Sequence, residues 1–107
     1  LDARSGCIAW TYSALTGVRT APVLAPRQGE RGYTVYFGDT GANVYALDAA
    51  TGRELWRRQV DAHPFARITG TPSLEGTRLF VPVSSLEETA ASQPGYACCS
   101  FRGNVTA

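Results

Sequence analysis

Methionine and lysine are absent from the 107 residues, and histidine occurs once, at position 63. With no start residue, signal peptide or capping segment, the sequence reads as a piece of a longer chain. All ten cations are arginines, against nine carboxylates, for a net charge of +1. Their scatter excludes the basic stripe of a nucleic-acid binder. Arginine used without lysine fits a GC-rich bacterial genome. No apolar run approaches the roughly 18 residues that span a bilayer. No stretch keeps a 3.6-residue apolar period over ten positions, so long helices are excluded, and the single helix candidate is about one turn near 85–91. A content of 44% hydrophobic and 10% aromatic residues excludes disorder.

What is present is a repeat. Leu1-Asp2-Ala3-Arg4-Ser5-Gly6-Cys7-Ile8-Ala9-Trp10 aligns without gaps on Leu47-Asp48-Ala49-Ala50-Thr51-Gly52-Arg53-Glu54-Leu55-Trp56, at an offset of 46. Pro22 and Leu24 align on Pro72 and Leu74 at an offset of 50, and Asn43-Val44 on Asn104-Val105 at 61. A period in the mid-40s is that of a four-stranded propeller blade. The fold class is therefore all-β: a fragment of a β-propeller with antiparallel blades. Residues 1–12 end one blade, 19–60 form a complete one, and 68–107 supply three strands of the next.

Strands are expected at 8–12, 19–24, 33–37, 43–48, 55–60, 68–74 and 79–83, separated by turns at 38–41, 50–53 and 75–76. Asp48 and Thr51 suit a tight corner because their short side-chain oxygens accept from nearby amides. Gly52 supplies a positive φ that other residues resist. The corner delivers Trp56 to the outer strand, as Asp2 and Gly6 deliver Trp10. Burying such a ring, 150–250 Å² of mostly apolar surface, is worth about 4–6 kcal/mol as an upper bound. Both tryptophans read as structural seams between blades rather than site residues.

Function is expected where the repeat swells. Offsets of 45 before residues 84–99 and 61 after them leave about 16 extra residues, and long loops on rigid scaffolds carry function. This loop holds Glu87, Glu88, Tyr96, Cys98 and Cys99. The inter-blade loop with Asp61, His63, Phe65 and Arg67 is expected on the same face. Adjacent cysteines are unusual. Cα atoms across a trans peptide lie about 3.8 Å apart, below the usual disulfide span of roughly 4.4–6.8 Å. A bridge between them closes a stiff, apolar, easily reduced ring; the alternative is two thiols entering a strand. Cys7 lies in a turn on the opposite face.

The segment from Ala46 to Trp56 resembles the tryptophan-docking motif of pyrroloquinoline-quinone (PQQ) dehydrogenases: alanine, any, aspartate, two of any, threonine, glycine, lysine, glutamate, any, tryptophan. It departs at Arg53 alone. The first copy keeps Asp2, Gly6 and Trp10 but has Ser5 for threonine and Ile8 for glutamate. Residues 61–70, 81–88 and 98–103 are similar to polyvinyl-alcohol dehydrogenase-like quinohaemoproteins. The same blades occur in non-catalytic scaffolds such as outer-membrane assembly lipoproteins, which is the competing reading.

The resemblance implies a periplasmic or secreted enzyme that moves a hydride from an alcohol to PQQ and passes electrons to an acceptor such as cytochrome c. Calcium would polarise the quinone. The haem c attachment signature CxxCH is absent from these residues, so any haem would belong to a separate domain. In such enzymes a Cys–Cys ring covers one quinone face, the role the resemblance gives Cys98 and Cys99. In the methanol-dehydrogenase branch, however, the pair precedes an early strand, and here it precedes the third. Arg102, and more weakly Arg67 and His63, are candidates for binding the quinone, Arg102 by a two-pronged bond to a carboxylate. Glu87 and Glu88 are candidates for calcium, a cation that prefers oxygen ligands. No aspartate maps to the family's general base. These residues are expected to supply one wall of a cofactor site completed by the remaining blades, and to be inactive alone.

Overall fold

The computed structural model describes residues 1–107. Its first sheet contains β1 (Val23–Pro26), β2 (Tyr33–Gly38), β3 (Asn43–Asp48) and β4 (Glu54–Gln59), antiparallel and in chain order. A second sheet is built on β7 (Arg78–Ser85). The chain from 66 to 75 runs against it as two short pieces, β5 (Ala66–Arg67) on Ser84–Ser85 and β6 (Ser73–Glu75) on Arg78–Phe80. β8 (Asn104–Thr106) pairs with Val81–Val83. The one helix, α1 (Glu87–Ala91), lies in the long β7–β8 connection.

The strand reading shifts in three places. Residues 8–12 form no regular strand, because no segment lies alongside to accept their backbone bonds. The segment expected at 19–24 pairs only from Val23, where β2 begins to face it. The stretch 68–74 is interrupted around Ile68–Pro72, where Pro72 has no N–H for a ladder.

The repeated corners make the same backbone bonds. Asp2 Oδ1 accepts from the amides of Arg4 (3.0 Å) and Ser5 (2.7 Å); Asp48 Oδ1 accepts from Ala50 (2.8 Å) and Thr51 (3.0 Å). Gly6 N–H reaches Asp2 O and Gly52 N–H reaches Asp48 O, both at 2.8 Å. The glycines sit at φ 71° and 73°, where a Cβ is unfavourable. Capture of the amides holds both aspartates below the usual carboxylate range.

Trp10 packs flat on the second corner. Its indole Nε1 donates to Ala49 O at 3.0 Å. A Cβ added to Gly52 would lie 2.5 Å from the ring. Behind Trp10, Phe37, Tyr45 and Leu47 form one buried cluster with Tyr12, Ala14 and Val35 packed on it. Phe37 stacks on Tyr45 with ring centroids 4.9 Å apart. The Tyr45 hydroxyl donates to Asp39 at 2.7 Å, and burial together with that carboxylate pushes its pKa up to about 12.

Alternate residues of β3 point the other way. Val44 joins Ala42, Ala66, Ile68, Val81 and Val83 in a core shared by both sheets. At that seam Gly38 ends β2 rather than opening a turn, and a Cβ on it would lie 2.8 Å from Ile68 Cβ. Only glycine lets the sheets approach so closely. Trp56 tilts on Tyr36 and is 40% exposed. The radius of gyration, 16.1 Å, exceeds the roughly 13 Å of a compact chain of this length. The two sheets therefore lie as adjacent leaves.

Gly52→Ala, in the protein that carries this segment, combines a strained φ with a clash against Trp10 and should cost about 2–4 kcal/mol. Gly76→Ala meets a similar φ of 58° with no atom within 4 Å and should cost about 1 kcal/mol. Denaturant midpoints of the two variants measure the difference. Equal losses would show that the indole does not depend on that glycine.

Candidate functional site

The swollen β7–β8 connection and the loop between β4 and β5 meet. Leu86 N–H donates to Phe65 O (3.1 Å), and Asn104 Nδ2 donates to Asp61 Oδ2 (3.0 Å). On the flank, Ile68 N–H donates to Asp39 O (3.1 Å) and Val60 N–H to Ala42 O (2.9 Å), which sets this junction beside the β2–β3 turn. Asp39 is consumed by that turn: it accepts from the amides of Gly41 and Asn43, the Asn43 side chain and the Tyr45 hydroxyl.

Glu87 is the centre of the junction. It opens α1, is 2% exposed, and has no cationic partner. Its Oε1 accepts from the Ser100 amide (2.7 Å), the Tyr96 hydroxyl (2.9 Å) and the Ser100 hydroxyl (3.1 Å); its Oε2 accepts from the Phe101 amide (2.7 Å). These donors, the Ser100 amide foremost, outweigh burial and hold the carboxyl at about 2 against an ordinary 4.5.

His63 is joined to the same group. Its Nδ1 accepts from the Phe65 amide (3.2 Å), which leaves the ring proton on Nε2. Nε2 lies 2.9 Å from Ser100 Oγ, whose own proton is directed to Glu87. The hydrogen bonds therefore run from His63 through Ser100 to Glu87. Aromatic edges close the gap: His63 on Phe101 at 5.4 Å and Phe65 on Tyr96 at 6.4 Å.

Cys98 and Cys99 are disulfide-bonded to each other and exposed, immediately before the Ser100 and Phe101 amides that Glu87 holds. Arg102 bends back along the strip: Nη1 donates to Cys99 O (2.9 Å) and Phe101 O (2.8 Å), and its other nitrogens have no partner in the chain. An exposed disulfide next to a guanidinium with free donors can meet a planar, carboxylated ligand. Arg67 spends Nη1 on Pro64 O and Ala66 O within its own loop. Cys7 is a free, exposed thiol on the first corner.

The calcium expectation does not fit this geometry. Four donors already occupy the Glu87 oxygens, Glu88 next to it is exposed, and no three His, Cys, Asp or Glu side chains converge to hold a metal ion. A carboxylate surrounded by N–H and O–H groups is an anion site already filled.

Ser100 and Phe101 are the functional-loop residues that sequence reasoning misses. A serine and a phenylalanine beside a cysteine pair carry no signal until Glu87 is known to be buried against their amides.

Because the Glu87 pKa is depressed, its contribution to stability is complete above about 4.5. It declines as pH falls and is gone below about 2. Other carboxylates are common to wild type and Glu87→Gln. The gap between their melting temperatures should therefore stay constant above about pH 4.5 and close towards pH 2. A gap independent of pH would show that the charge on Glu87 contributes nothing.

The profile of the family described as outer membrane protein assembly factor BamB, a PQQ-repeat family, matches residues 1–94. Polyvinylalcohol dehydrogenase of a Pseudomonas species is 36% identical over the whole chain, and that of Sphingopyxis strain 113P3 is 37% identical, again over the whole chain. The chain spans 17% of the length of each. The serine/threonine-protein kinase AfsK of Streptomyces griseus is 36% identical over 58% of the chain. No helix is long and apolar enough to cross a membrane. With a family match over residues 1–94, repeated corners and 36–37% identity along the whole chain to two bacterial dehydrogenases, the chain belongs to the PQQ-repeat β-propeller family.

Proposed function

We propose that this chain is a segment of a PQQ-dependent alcohol dehydrogenase of the polyvinyl-alcohol type, and that it supplies part of the quinone-binding face. The observation that carries the reading is the exposed Cys98–Cys99 ring with Arg102 beside it, in a chain similar over its whole length to two polyvinylalcohol dehydrogenases. A scaffold propeller has no use for a cysteine ring held by a buried carboxylate. On this reading the three units at 1–12, 19–60 and 68–107 are parts of successive blades. Trp10 on the 48–52 corner is then the docking arrangement of the family, and Trp56 faces the same kind of corner in the next blade.

PQQ, when bound, accepts the hydride from the alcohol carbon. The residues here bind and orient. The Cys98–Cys99 ring offers a rigid apolar surface to one face of the quinone. Arg102 has donors left for a quinone carboxylate and is itself fixed by the Cys99 and Phe101 carbonyls. His63 borders the site and holds its Nε2 proton towards Ser100. Arg67 is a secondary candidate, since its Nη1 is committed to its own loop. Calcium and any haem c belong to residues outside this segment, as do the substrate pocket and the contact with an electron acceptor such as cytochrome c. The compartment is periplasmic or extracellular, where a disulfide this exposed persists.

The full-length protein should bind PQQ and, in a dye-linked assay, oxidise an alcohol. Arg102→Ala should weaken PQQ binding by about 10- to 100-fold, the worth of a charge-assisted hydrogen bond. Absence of quinone binding in the complete protein would favour the scaffold reading.

A further inference from the structure

We infer that Glu87 is a positioning residue: with Ser100 and His63 it fixes the strip from Tyr96 to Phe101, so that the Cys98–Cys99 ring is presented in one orientation. The inference deepens the quinone reading and rests on it for what the ring faces.

Three observations carry it. Most of the connection around the ring is exposed: residues 92–95 and 97–100 all face solvent. Such a strip has little apolar contact to define its place. Yet its two ends are held on one buried carboxylate, Tyr96 by its hydroxyl on one side of the cysteines and Ser100 and Phe101 by their amides on the other. A group that takes hold two residues before a ring and immediately after it sets that ring's direction. The hold also crosses between loops. Ser100 passes it to His63, whose tautomer is fixed by the Phe65 amide, and Phe101 packs edge-on against the same imidazole. The Arg102 guanidinium then rests on carbonyls of that fixed strip, so the donors offered to a ligand inherit its position.

The cost of this arrangement points the same way. A buried, unpaired carboxylate is unfavourable unless several donors meet it. Here four do, and all of them belong to the strip around the ring.

The test uses the full-length protein with Glu87→Gln and Ser100→Ala. Without quinone, thiol release from Cys98–Cys99 under dithiothreitol should be about tenfold faster in Glu87→Gln, because a charged acceptor is replaced by an amide whose NH2 opposes one of the two N–H donors. Ser100→Ala should give a smaller change in the same direction. With PQQ, Glu87→Gln should weaken binding by about tenfold and shift the absorption band of the bound quinone. A merely structural residue would lower the melting temperature and move neither the band nor the native-state thiol release. Wild-type release and wild-type PQQ affinity in Glu87→Gln would overturn the inference. If that variant fails to fold, unchanged release in Ser100→Ala would overturn it instead. Faster thiol release in a protein that binds no quinone would overturn the quinone reading and leave the brace standing.

Discussion

An indole lying on a glycine holds the structure in register. Trp10 reaches Ala49 O with its N–H and covers Gly52 so closely that a methyl group there would clash. The contact joins a segment with no ladder bonds of its own to a corner of the neighbouring sheet. It is directional as well as apolar, because the corner that receives the ring is fixed by Asp48 and repeated by Asp2. A flat ring, a residue without a side chain and an aspartate that collects amides together define one spacing. That spacing sets where the face of β3 bearing Tyr45 and Leu47 is covered, and hence where the opposite face, with Val44, meets the second sheet.

The junction of the long loops is downstream of that packing. Ile68 is pressed against Gly38 and bonded to Asp39 O, which fixes the start of the second sheet relative to the β2–β3 turn. His63 and Phe65 sit just before that anchor, and α1 follows directly on β7. The loops meet because both are tied at their bases to the same core of Val44, Ala66, Ile68, Val81 and Val83. A rigid base beneath an exposed, side-chain-braced strip is the arrangement expected of a binding surface on a propeller.

The fold was legible in the sequence because its determinants are local. Aromatic and β-branched residues in 33–37, an Asp and a Gly four residues apart, and a tryptophan four residues later each act within a few positions, and each recurs. The segment at 8–12 alternates as a strand should, but a strand is defined by its neighbour and none lies beside it. The break between β5 and β6 was likewise hidden, since Pro72 announces a missing donor without saying which side of the ladder loses it. At the site, the convergence of His63 with the cysteine loop followed from counting the extra residues. The chemistry of Glu87 did not. Two glutamates side by side carry the same formula, yet one is 2% exposed and the next faces solvent. Only the rotation of α1 distinguishes them.

That distinction changes what kind of site this is. Read as a pair, Glu87 and Glu88 suggest oxygen ligands waiting for a cation. Folded, Glu87 is an anion already met by N–H and O–H groups from both sides of the cysteine ring, three of them on Oε1. Two needs compete for one carboxylate: to neutralise a cation, or to fix a solvent-exposed strip. Four short donors decide for the second. The loops here are therefore organised around the placement of a disulfide and a guanidinium.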